Sequence, residues 1–61
     1  MNSNLKILLD ENNVNLSEFS KDVGISRQYL YMLMNDACNP SISVANRIAS
    51  KLGVNIKDIW L

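Results

Sequence analysis

One local pattern recurs three times and constrains the fold more than anything else in the chain. An apolar residue stands before a polar residue suited to capping a helix, and a second apolar residue follows four places after that cap. "VNLSEF" sets Val14, Asn15 and Phe19 at these offsets, "ISRQYL" sets Ile25, Ser26 and Leu30, and "VNIKDI" sets Val54, Asn55 and Ile59. The cap takes up orphan amides of a first helical turn, while the two apolar residues staple the incoming chain to that turn. In two of the three an acid, Glu18 or Asp58, stands where it can return a hydrogen bond to the cap. Three such starts in so short a chain leave room only for short helices joined by tight turns.

The remaining signals place those helices. Leu5, Leu8 and Leu9 recur at helical spacing, with Ser3 or Asn2 as the expected cap. A second helix is predicted from about Leu16 to Val23, stopped by Gly24, a residue suited to ending a helix in the left-handed region. The third begins after Ser26 and continues to about Asn35. "NDACNP" then reads as a loop, because Pro40 biases Asn39 against helical angles. A fourth is expected from about Ile42 to Leu52, with Val44, Ala45, Ile48 and Leu52 inward and Gly53 just past its end. A last turn or two covers Ile56 to Trp60. The expectation is an all-α bundle forming a single domain over residues 1–61, near the lower size limit for a self-sufficient core.

The junction "FSKDVGIS" is the informative piece. Phe19 and Val23 share a helix face, Gly24 turns the chain, Ile25 points inward and Ser26 caps the next helix. So short a turn makes two helices cross steeply and projects the second from the body, a helix-turn-helix unit over about residues 16–35. On the projecting helix Leu30 and Leu33 mark the inward direction. At about 100° per residue, Gln28 and Asn35 then point almost directly away, with Arg27, Tyr31 and Met32 on the flanks. A solvent face usually carries Lys, Glu and Ala, so this one is made to touch something.

Composition excludes most alternatives. Six basic and six acidic residues cancel, so the chain lacks the positive excess typical of nucleic-acid binders. One cysteine, Cys38, rules out an internal disulfide, and the absence of histidine leaves too few soft ligands for a zinc or iron–sulfur site. No apolar run approaches the roughly 20 residues that span a bilayer, and no secretory leader precedes the polar start "MNSN". A cytoplasmic protein without metal, cofactor or small-molecule ligand is expected. No nucleophile stands beside a base, no glycine-rich phosphate loop is present, and capping accounts for most carboxylates, so the chain is not expected to be an enzyme.

With these residues in view the chain resembles the Cro/repressor (Xre-like) class of helix-turn-helix proteins. The matching pieces are the leucine-rich first helix, "VGISR" at the turn, "NPS" after the third helix, "RIASKLGV" in the fourth and "IKDIW" at the end. Each is weak alone; their joint spacing from about Leu5 to Trp60 is specific. The resemblance implies a compact five-helix bundle of the lambda-repressor-like kind that inserts its third helix into the major groove of double-stranded DNA. It assigns base reading to Arg27, Gln28 and Met32, with Tyr31 close by, and backbone contacts to Leu16, Ser26, Asn35, Asn39, Ser41 and Ile42. It also implies a homodimer on two half-sites, for which Ile56, Trp60 and Leu61 are the candidate contacts. Arg27 can donate a bidentate pair to guanine, Gln28 can do the same with adenine, and Met32 suits a thymine methyl.

The departures from that family pattern are equally specific. Where members often carry an Arg and a Glu that pair between the first and third helices, this chain has Leu9 and Met34. Both changed in the same sense, which keeps packing intact, so the two are expected to touch. Leu16 replaces a frequent glutamine at the start of the second helix, and Asp36 brings a negative charge into a loop that is often basic. Of Lys6, Lys21, Arg27, Arg47, Lys51 and Lys57, only Arg27 lies plainly on the presumed DNA face. Cys38 reads as a free loop thiol, since ready reaction needs a positive neighbourhood and Asp36 is its near neighbour. Two functions therefore stand: a bacterial or phage-type transcriptional regulator, a repressor, or the same scaffold turned to protein–protein binding as an antirepressor or antitoxin-type partner. In the second, Arg27 is a solvated first-turn residue and Tyr31 and Met32 pack on a protein. Trp60 and Leu61 equally fit a lid on the core.

Overall fold

The computed structural model describes residues 3–60. Five helices follow one another: α1 (Leu5–Glu11), α2 (Leu16–Val23), α3 (Arg27–Met34), α4 (Ile42–Leu52) and α5 (Ile56–Ile59). The expected all-α bundle is what forms. Leu5, Leu9, Leu30, Leu33, Ile48 and Ile59 are completely buried and meet in one core with Phe19 and Val23. Full burial of such side chains contributes about 1.5–3 kcal/mol each. Helix α3 rests on α1 and α2, and α4 links α2 to α5. No helix among the described residues is long and apolar enough to cross a membrane.

The expected caps set α2 and α3, and Ser41, expected only as a backbone contact, proves to cap α4. Asn15 Oδ1 accepts from Glu18 N–H at 3.1 Å, Ser26 Oγ from Tyr29 N–H at 3.0 Å, and Ser41 Oγ from Val44 N–H at 3.2 Å. The return bond from an acid forms in α5 only, where Asn55 N–H donates to Asp58 Oδ2 at 3.0 Å. Glu18 instead lines a groove beside Asp22 and Lys51.

All four longer helices end in the same way, which sequence reading saw in only two of them. After α2 the Ile25 and Gly24 amides turn back to the Ser20 and Lys21 carbonyls, and after α4 the Val54 and Gly53 amides do so to Ala49 and Ser50. The identical pair of bonds closes α1 and α3, with Asn13 (φ 52°) and Asp36 (φ 59°) in the left-handed position that glycine takes elsewhere. Asn and Asp tolerate that region better than other side chains do, which is why no glycine was needed.

The start of the chain corrects one expectation. Asn4, not Ser3, occupies the cap position of α1, and its side chain caps nothing; Asn2 lies outside the described residues. Asn4 N–H donates to Ile59 O at 2.8 Å and Asn4 Nδ2 to Asp58 O at 3.1 Å. Both groups are thus spent on joining the two ends of the chain. Trp60 leaves the last helix in extended conformation and pairs with Ser3 in an antiparallel bridge, so α5 stops at Ile59.

Candidate nucleic-acid interface

Helix α3 is held from beneath by Leu30 and Leu33 and at its start by Ser26 and the Gly24 corner (φ 87°). Its outer side is open. Arg27, Gln28, Tyr31, Met32 and Asn35 are all exposed, Tyr31 by 43% and Met32 by 40%. Tyr29 and Met34, on the two flanks, are half-buried, as the helical angle requires. The polar rim anticipated from spacing is therefore real and uncovered.

Arg27 is not a free first-turn side chain. Its Nη1 donates to Ser17 Oγ at 3.1 Å, tying the first residue of α3 to the first turn of α2. A second arginine works behind the corner: Arg47 of α4 reaches Val23 O at 3.4 Å, bringing positive charge to the C-terminal end of α2, where a helix favours it. Lys51 pairs with Asp22 at 3.4 Å, both half in solvent. Ser17 and Arg47 are the residues sequence reading missed. Each bonds across two helices, and helical periodicity carries no sign of such a partner.

The expected backbone-contact residues ring α3. Leu16 is half-buried at the start of α2; Ser26 and Ser41 are exposed, with hydroxyl oxygens already committed to caps; Asn35 follows α3. Asn39 and Ile42 fall into a different company. With Pro40, Ala45, Ile56 and Trp60 they line an apolar groove of about 250 Å³ between the start of α4 and α5, and Ile42 is 79% exposed. The structure thus unites two expected dimer residues with two expected backbone residues. Leu61, the third dimer candidate, lies outside the described residues. Asp36, beyond α3, is occupied internally: its Oδ1 accepts from Ser3 N–H at 2.9 Å. Leu9 is buried, Met34 packs against the same core, and their helices are in contact.

A five-helix order, a glycine corner between α2 and α3 and an open rim on α3 coincide with a family model for the Cro/C1-type HTH DNA-binding domain, which matches residues 4–60. The chain belongs to that family. The chain is also 31% identical over 61 residues to an uncharacterised HTH-type transcriptional regulator of Methanocaldococcus jannaschii; the match takes in all of this chain and 92% of the relative. Membership makes residues 4–60 a helix-turn-helix DNA-binding domain. Among the described residues no group of three or more His, Cys, Asp or Glu side chains is placed to hold a metal.

Proposed function

We propose that this chain is a sequence-specific DNA-binding regulator of transcription, acting as a repressor in the cytoplasm. It lays α3 in the major groove, where Gln28 and Arg27 read base edges, Met32 and Tyr31 meet apolar and sugar surfaces, and Asn35 and the starts of α2 and α4 meet the backbone. The observation that carries the reading is the rim itself: Gln28 and Asn35 are exposed on the side of α3 opposite buried Leu30 and Leu33. Two copies bind half-sites about one helical turn apart, meeting through the uncharged groove of Ile42, Ile56 and Trp60. The whole of residues 1–61 serves as one domain in this scheme.

A second reading, docking of a protein on the same rim, is favoured by the exposure of Tyr31 and Met32 and by the balanced charge. Selection of bound duplexes from a random pool at several protein concentrations separates the two. A palindrome enriched with rising concentration supports the DNA reading and the dimer together; no enrichment at low salt supports the protein-binding reading instead. On the selected site Gln28→Ala is expected to cost about 1–3 kcal/mol, the worth of one bidentate contact, with relaxed preference at one base pair. The salt slope is expected to be shallow, about −1 to −2 per protomer for one or two phosphates neutralised.

A further inference from the structure

Ser17 has no part in capping: the first turn of α2 is capped by Asn15 and that of α3 by Ser26. Its exposed hydroxyl instead accepts the Nη1–H of Arg27 at 3.1 Å across the gap between the two helices. Resting on the reading that α3 enters the groove, we propose that Ser17 is a positioning residue that sets the base specificity of Arg27.

The argument lies in the shape of the guanidinium. It carries five donors in one rigid plane. Engaging Nη1 leaves the opposite edge, Nε–H beside Nη2–H, free and parallel, which is the fork that matches O6 and N7 of guanine. An untethered arginine must give up its rotamer freedom when it meets a base; one already held in the free protein gives up less. The surroundings leave Ser17 without competitors. Glu18 and Asp22 lie along a groove with Lys51, and Asp22 is paired with it, so neither acid draws the guanidinium away. Lys21, one turn beyond Ser17 on the same flank of α2, is a like charge that discourages Arg27 from swinging along that helix. Arg27 itself stands about 90° from the inward direction of α3 and Gln28 nearly opposite to it. The tether therefore keeps the two heads apart, one base step to each.

The test compares wild type, Ser17→Ala, Ser17→Thr, Arg27→Ala and the double Ser17→Ala/Arg27→Ala on the selected duplex and on every single-base-pair variant of it. Thermal unfolding, expected to be unchanged by Ser17→Ala at this exposed helical position, is measured alongside. Ser17→Ala should lower affinity for the selected site by about 2–10-fold, the worth of one hydrogen bond. It should lower discrimination by a similar factor at one base pair only, the one that Arg27→Ala also relaxes. Ser17→Thr, which keeps the hydroxyl, should restore both, and Ser17→Ala should add nothing in the Arg27→Ala background. A uniform loss across all duplexes, an unchanged profile, or an effect that survives Arg27→Ala overturns the proposal while leaving the DNA reading in place. A wild-type chain that selects no duplex overturns both.

Discussion

The Gly24 corner can be tested against a control that the same chain supplies. Gly24 and Gly53 both end helices in the left-handed region, at φ 87° and 73°. An alanine Cβ at Gly53 would meet nothing within 4 Å, whereas at Gly24 it would stand 3.4 Å from Arg47 Nη1. A left-handed L-residue costs about 1–2 kcal/mol, and the stiffer unfolded chain returns about 0.4–1 kcal/mol. With mid-range values Gly53→Ala should therefore lose about 0.8 kcal/mol net. Gly24→Ala should lose that and at most a little more, because the new Cβ would stand at the near edge of ordinary contact with the guanidinium, and any retreat weakens a bond to Val23 O that is already 3.4 Å long. A part-buried contact of that length contributes about 0.5 kcal/mol, the low end for one hydrogen bond. Small domains hold about 0.05–0.15 kcal/mol per residue, so either loss is a substantial share of the total.

Urea unfolding followed by circular dichroism reads both variants, and a repeat in the Arg47→Ala background isolates the arginine. The excess of Gly24→Ala over Gly53→Ala should vanish there. A Gly24→Ala protein as stable as wild type would refute the claim that a left-handed residue holds the corner. An excess unchanged by Arg47→Ala would refute the part given to Arg47.

Two further outcomes are expected. Asp36→Asn keeps both an acceptor for Ser3 N–H and a side chain tolerant of φ 59°. Stability should stay within about 0.5 kcal/mol, while affinity for DNA rises a few-fold at low salt and the gain fades as salt screens it; equal affinity at low salt would refute a nearby phosphate. Leu9→Arg should lose about 3–5 kcal/mol as an unpaired buried charge, and Leu9→Arg/Met34→Glu should regain part of it if the two positions adjoin. A double variant no more stable than Leu9→Arg in denaturant melts would refute that contact.

Where the sequence was legible, a single residue had a local physical job. Asn15 with Gly24 bracketed α2, and the loop ending at Pro40 with Gly53 bracketed α4, so both helices run where spacing put them. Asn13 and Asp36 do the same work as the glycines, yet their types occur in many other settings and announce nothing. Asn4 was illegible for a stronger reason: its side chain serves a carbonyl 54 residues away. The rim of α3 was legible because buried Leu30 and Leu33 fix what lies opposite. The Arg27–Ser17 bond was not, since it depends on how two helices cross at the corner.

The same crossing bears on the balanced charge. Lys51 is paired with Asp22, while Arg27 and Arg47 bond neutral acceptors, Ser17 Oγ and the Val23 carbonyl, and are held in place with their charge intact. Sequence-independent DNA affinity is almost entirely electrostatic and scales with the phosphates neutralised. A chain whose six cations are balanced by six acids weakens that term while keeping the hydrogen-bonding rim intact. What governs occupancy of a site is the ratio of specific to non-specific binding, and that ratio grows when the second term falls faster than the first. On the groove reading, neutrality is thus a means of selectivity: the half-site contacts are few, and the competing background is weaker still.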